Sequence, residues 1–171
     1  WGNGELTAKG IADAKALAQR LSDTPLDKIY ASSSKRAFET AKIIENNRGI
    51  KIVSNDDLRE MNFGDWDGQF TSDVKANFPK EHAIFWETPH LFEGMNGETF
   101  LDVQQRAKKV ISAILQDQKE GTILIVSHSI FLRVLLATIK KLPLSDVFTQ
   151  INLGHTSLTK VIVDEDILKL E

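Results

Sequence analysis

The chain of 171 residues is long enough for one domain and short for two, and its 42% hydrophobic and 26% charged residues are typical of a globular protein. Cysteine is absent, which excludes a disulfide framework, a thiolate nucleophile and cysteine metal sites and favours a cytoplasmic location. The net charge of −3 argues against nucleic-acid binding, and no apolar run is long enough to span a membrane.

The first half of the chain alternates between helices and short strands. Residues 1–5 are predicted to be a loop, and apolar residues at three-and-four spacing predict a helix that Thr7 caps and Thr24-Pro25 stops. The elements predicted after this helix are a buried strand at 29–31, a helix at 35–45 capped by serine hydroxyls, a strand at 50–53, a loop at 57–69 and an irregular stretch at 70–95.

The second half opens with a long amphipathic helix, for which Thr99 or Asn96 is the predicted N-cap. A run of mainly β-branched residues at 122–126 predicts a central strand covered on both faces. The elements predicted after this strand are a helix at 130–141, a strand at 156–163, a turn at 164–166 and an edge strand at 167–170. The alternation predicts a single α/β domain over residues 1–171, a three-layer α/β/α sandwich with a mostly parallel sheet.

Two adjacent cations, Lys35 and Arg36, fall in the first turn of a predicted helix. A helix N-terminus carries partial positive charge, so this placement is unfavourable unless an anion binds there. Arg36 is the predicted anion ligand, and Lys35 is expected to leave the opposite side of the turn. The alternative is that both are surface residues pointing to water.

His128 lies just after the predicted central strand and just before a helix. In open α/β sheets, ligands bind at the carboxyl ends of the strands, where a histidine can donate hydrogen bonds to a phosphoryl group. A histidine satisfied within the core or a loop is the alternative.

Glu60 lies in a compact loop with two glycines and the apolar residues Met61, Phe63 and Trp66. A carboxylate in apolar surroundings can act as a general acid. The alternative places Trp66 in the core and Glu60 in solvent. For residues 96–99, the start of a helix is the preferred interpretation.

Five short motifs occur in one order along nearly the whole chain, and together they resemble the histidine phosphatase superfamily, the phosphoglycerate-mutase-like proteins. They are Leu6-Thr7-Ala8-Lys9-Gly10 (L-T-x-x-G), residues 30–41 (Y-S-S-P-x-x-R-A with T-A), the 58–68 loop (L-x-E-x-x-F-G-x-W-x-G), Gly97-Glu98-Thr99 (G-E-S/T) and Val126-Ser127-His128 (V-S-H-G).

The resemblance implies the phosphoglycerate mutase-like fold and phosphoryl transfer through a phosphohistidine intermediate, with no metal or other cofactor. Arg36 matches the phosphate-binding arginine, Glu60 the proton donor to the leaving group, and His128 the second histidine, which binds the transferred phosphoryl group. Fixed cationic and N–H donors suit the charge that spreads over phosphoryl oxygens.

The sequence departs from the family pattern in three places. The R-H-G segment with the nucleophilic histidine is absent from residues 1–171, and we expect that an N-terminal strand and catalytic loop carrying it precede Trp1 in the polypeptide. Ser34 replaces the usual proline and Ser129 the usual glycine. His155 stands where many relatives have Asn-x-Ser.

The short segment between Glu60 and Gly97 resembles the phosphatase branch, because cofactor-dependent mutases carry a longer insertion there. Residues 70–95 are predicted to form a lid-like insert over a small phosphorylated substrate, and Trp86, Ser129 and His155 are candidate pocket residues. The alternatives are phosphoglycerate mutase-type transfer and a non-catalytic phosphate-binding module. The substrate and the oligomeric state stay open.

Overall fold

The computed structural model describes residues 4–164 and 167–170. Residues 1–3 of the loop predicted at 1–5 and residues 165–166 of the turn predicted at 164–166 lie outside these residues. The described chain forms two compact units: the first comprises residues 4–60 and 109–128, and the second comprises residues 61–108, 129–164 and 167–170.

The first unit contains a three-stranded parallel sheet, which together with its flanking helices confirms the predicted α/β class. Its strands lie in the order β2-β1-β3. They are β1 (Lys28–Ser32), β2 (Lys51–Asn55) and β3 (Ile123–Val126).

Strand β3 pairs with β1 as predicted, Ile29 opposite Leu124, but in the described sheet it lies at the edge rather than at the predicted central position. The middle strand of the described sheet is β1, which is almost wholly buried, whereas all four residues of β3 are half-buried. A β-branched run reports apolar character but does not tell an edge strand from a central one.

Helix α1 (Ala8–Arg20) begins as predicted but ends four residues before Thr24, the start of the predicted stop, whereas α2 (Lys35–Glu45) has the predicted bounds. Thr7 caps α1, accepting a hydrogen bond from the Gly10 amide at 3.1 Å. Ser34 occupies the N-cap position of α2 but makes no side-chain capping bond, so the predicted serine cap is wrong. The buried residues Ile29 and Ala31 of β1 and Ala41 of α2 form a core cluster.

The second unit contains the stretch at 70–95, which is more regular than predicted. It forms α3 (Thr71–Asn77), α4 (Pro79–Glu87) and a 3₁₀ turn at Pro89–Leu91. Helices of seven and nine residues show too few repeats of the apolar period to be recognised in the sequence.

The remaining elements follow the predicted order. Helix α5 (Phe100–Asp117) continues from the second unit into the first, and α6 (Ser129–Ile139) starts one residue before and ends two before its predicted limits. Strand β4 (Val161–Asp164) starts five residues later than predicted and pairs antiparallel with β5 (Ile167–Leu170). No helix among the described residues has the length and apolar character that crossing a membrane requires.

Candidate functional site

The candidate site of the first unit lies where the parallel strands end. Ser32 is the last residue of β1, Ser34 precedes α2, and His128 follows β3 by two residues. Because β1 and β3 are parallel neighbours, their carboxyl ends lie at the same edge of the sheet. Ser32, Ser34 and His128 are the buried polar residues of the described chain.

The His128 ring makes contacts through both of its nitrogens. Nε2 lies 2.8 Å from Ser32 Oγ and 3.1 Å from Ser34 Oγ, and Nδ1 lies 3.1 Å from Arg36 Nη2. Because a guanidinium can only donate, Nδ1 accepts from Arg36, and the neutral ring carries its proton on Nε2. Arg36 and His128, the two predicted ligands of the phosphoryl group, therefore lie in contact with one another.

The same geometry distinguishes the two cations of α2. Lys35, which is exposed, forms an ion pair with Glu5. That hydrogen bond raises the pKa of Lys35 and lowers that of Glu5. Arg36 instead contacts the buried His128 at the amino end of α2, where the helix adds partial positive charge. An oxyanion is therefore matched to Arg36 rather than to Lys35.

Glu60 follows β2 and a 3₁₀ turn at Asp56–Leu58. The Ser127 hydroxyl donates a hydrogen bond of 2.7 Å to the Leu58 carbonyl, so the residue before His128 holds the chain two residues before Glu60. Glu60 itself is half-buried. Its role as the proton donor stays a prediction.

In the second unit, Gly64 of the 58–68 motif and Gly97 of the 97–99 motif lie at a close approach of two backbone segments. A Cβ atom on Gly64 would lie 2.0 Å from the Met95 carbonyl, and one on Gly97 would lie 2.2 Å from the Asn62 carbonyl. Gly64 also has a φ of +57°, which favours glycine. These two glycines therefore allow a backbone approach that any side chain would block.

Trp66 is buried, as the core interpretation predicted. Its ring lies 5.1 Å from that of Phe92 and 5.8 Å from that of Phe85, centroid to centroid. Phe85 is the centre of this group, with further ring contacts to Phe63, Trp86, Phe92, Phe100 and Phe148.

The three candidate pocket residues belong to the second unit. Trp86 on α4 is 45% exposed, and its indole N–H donates to His82 Nε2 at 3.2 Å. Ser129 is the exposed first residue of α6, and His155 is exposed in a turn. Their role in a pocket stays a prediction, as does the lid-like role of residues 70–95. Within residues 4–164 and 167–170, no three His, Asp or Glu side chains are grouped to hold a metal ion.

The sequence did not predict the side-chain contacts of two serines and one glutamate. Ser32 and Ser34 were interpreted as helix caps, but their hydroxyls contact the His128 ring. Three consecutive serines directly after a buried strand are the signal that could have indicated a polar site. Glu98 was assigned only to the start of a helix, although its side chain contacts the Asn62 amide.

The comparisons agree on one family. The model of the "Histidine phosphatase superfamily (branch 1)" matches residues 1–171. Phosphoserine phosphatase 1 of Hydrogenobacter thermophilus is 30% identical over 141 residues, which cover 82% of this chain and 67% of that protein. Adenosylcobalamin/alpha-ribazole phosphatase of Salmonella typhimurium is 29% identical over 143 residues, covering 84% of this chain and 71% of the relative. Phosphoglycerate mutases are also among the relatives.

A solved structure has a similar fold. It is Bacillus stearothermophilus YhfR, with a TM-score of 0.93 and 38% sequence identity. The similarity covers 96% of this chain and 82% of that one.

Proposed function

Since the chain belongs to the histidine phosphatase superfamily (branch 1), we propose that it hydrolyses phosphomonoesters of small metabolites through a phosphohistidine intermediate. The observation that carries the proposal is the contact between Arg36 and His128 at 3.1 Å, at the carboxyl end of a parallel sheet. A guanidinium, an imidazole and a helix N-terminus at one place form a site for the oxygens of a phosphoryl group.

The proposed reaction has two steps. A histidine nitrogen attacks phosphorus, the bond from phosphorus to the ester oxygen breaks, and Glu60 gives its proton to the leaving oxygen. Water then attacks the phosphohistidine, the P–N bond breaks, and the Glu60 carboxylate takes a proton from that water as inorganic phosphate forms. Arg36 and His128 donate to the phosphoryl oxygens, on which negative charge develops in both steps. We propose that these donors make the reaction independent of metal ions.

The attacking histidine is not among the histidines of the 171 residues, since none of them lies in an R-H-G motif. We propose that a segment preceding Trp1 supplies it. A strand in that segment would pair with the half-buried β3 at the edge of the described sheet, which would bring the following loop to the carboxyl edge beside His128. The absence of cysteine favours the cytoplasm as the place of the reaction.

Hydrolysis is favoured over mutase transfer by the short segment between Glu60 and Gly97, which holds only α3, α4 and 3₁₀ turns. Two phosphatases among the relatives support the same branch. A non-catalytic phosphate-binding module would need Arg36 but no proton donor such as Glu60.

The proposal is tested by comparing Glu60→Gln with the unchanged full-length protein, in the presence of EDTA. We expect hydrolysis in EDTA and inhibition by vanadate. Glu60→Gln is expected to lower kcat/KM strongly for an alkyl phosphate and only slightly for an activated aryl phosphate, because the aryl leaving group needs little protonation. Equal losses on both esters would refute the acid role, and failure of the unchanged protein to hydrolyse either would refute the proposed activity.

A further inference from the structure

Glu98 is bound to the backbone of Asn62 from both directions. The Asn62 amide donates to Glu98 Oε2 at 2.8 Å, and the Glu98 amide donates to the Asn62 carbonyl at 2.8 Å. Gly97 allows this approach, because a Cβ atom there would lie 2.2 Å from the Asn62 carbonyl. The segment at 97–98 is therefore built to hold the chain at Asn62.

Arg106, two turns along α5, fixes the Glu98 carboxylate. Its Nε donates to Oε1 and its Nη2 to Oε2, each at 2.8 Å, and the two side chains are only 12% and 18% exposed. The guanidinium also lies 5.1 Å from the ring centroid of Phe131, a fully buried residue of α6. A bidentate ion pair of a guanidinium and a carboxylate that are mostly buried has one preferred geometry. Removing either side chain leaves the charge of the other without its partner in the pair.

The need to cap the amino end of α5 does not explain the contacts of the Glu98 carboxylate. Thr99 and Asp102 already form the cap, because the Thr99 amide and hydroxyl donate to the Asp102 carboxylate and the Asp102 amide donates to Thr99 Oγ1. Glu98 is therefore not needed as a helix cap. Its carboxylate instead accepts from the backbone amide of Asn62, 36 residues earlier in the chain.

We infer that Glu98 and Arg106 are positioning residues for Glu60, an inference that rests on the proposed function. Glu98 accepts a hydrogen bond from the amide of Asn62, two residues after Glu60 in the chain. Holding Asn62 restricts the backbone conformations open to the short segment that follows Glu60. A general acid needs this restriction, because a displacement of about 1 Å can cost roughly 100-fold in rate.

The test uses Glu98→Ala in the full-length protein, with Val110→Ala as the matched control, since Val110 is a buried residue of α5, the helix that also carries Arg106. For Glu98→Ala we expect kcat on an alkyl phosphate to fall about tenfold or more, while KM and the kcat on an activated aryl phosphate change little. Val110→Ala is expected to lower stability and to leave the ratio of the two kcat values unchanged.

The double variant Glu60→Gln/Glu98→Ala shows whether Glu98 acts through Glu60. The inference predicts no further loss of selectivity beyond that of Glu60→Gln alone, whereas independent, multiplicative losses would overturn it. Equal losses on both esters in Glu98→Ala would also overturn it, while a selective Glu60→Gln would leave the proposed function standing. A Glu60→Gln protein without selectivity would overturn the acid role and this inference together.

If Glu98→Ala does not fold, Glu98→Gln replaces it. Its amide oxygen can still accept from the Asn62 amide, but the ion pair with Arg106 is lost. We expect a selective loss smaller than tenfold, and a ratio of kcat values equal to that of the unchanged protein would overturn the inference.

Discussion

Replacing Arg36 by alanine tests the anion site without requiring turnover. The guanidinium contacts His128 Nδ1 at 3.1 Å and stands in the first turn of α2, where the helix dipole also attracts an anion. Each charge-assisted hydrogen bond to an oxyanion contributes about 1.5–3 kcal/mol. Loss of one such bond corresponds to a weakening of about 10-fold to 150-fold, so Arg36→Ala is expected to raise the Kd for vanadate or phosphate at least about tenfold.

The assay is calorimetric titration with vanadate or phosphate, and Lys35→Ala is the matched control. Lys35 is adjacent in sequence and carries the same charge, but it is paired with Glu5 and exposed. Its loss should change the Kd less than about twofold, as expected for a screened surface charge. A larger effect for Lys35→Ala than for Arg36→Ala would refute the assignment of the anion ligand.

Two further predictions concern stability. Gly97→Ala should destabilise the protein by about 1–3 kcal/mol in urea unfolding, because the new Cβ would lie 2.2 Å from the Asn62 carbonyl. Gly154→Ala is the control, because a Cβ atom there would have no atom within 4 Å. Equal losses of stability in the two variants would contradict the proposed crowding at Gly97. Hydrogen bonds from Thr99 hold the pKa of Asp102 below its ordinary 3.8, so this carboxylate stabilises the fold above that pH and its contribution is lost as the pH falls through the lowered value. Asp102→Asn should therefore have a lower free energy of unfolding than the unchanged protein near neutral pH, and the difference should vanish in strong acid. A difference that stays the same at every pH would contradict this prediction.

Short sequence patterns predicted those elements whose bounds depend mainly on neighbouring residues. The predicted bounds of α2, residues 35–45, match Lys35–Glu45, and Arg36 meets His128 because each of them follows a strand of the parallel sheet. The edge position of β3 could not be predicted, because strand order depends on pairings distant in the sequence.

Side-chain partners were less predictable than elements. Ser34 has the sequence context of an N-cap, yet its hydroxyl contacts His128, 94 residues later. Glu98 likewise contacts Asn62 and Arg106, and these contacts form only when the chain is folded. Short-range propensity reports which hydroxyl or carboxylate can cap a helix but contains no information on a competing partner elsewhere in the fold.

The central claim is that this chain forms part of a phosphohistidine enzyme whose phosphoryl group binds at Arg36 and His128. Its most direct measurement is trapping of the phosphoenzyme of the full-length protein with a phosphomonoester, followed by mass spectrometric localisation of the phosphoryl group. The account predicts an acid-labile, base-stable phosphoryl group on a histidine within an R-H-G motif, with less of it trapped in Arg36→Ala. Phosphate on serine or aspartate, or hydrolysis that depends on an added metal ion with no phosphoenzyme, would contradict it.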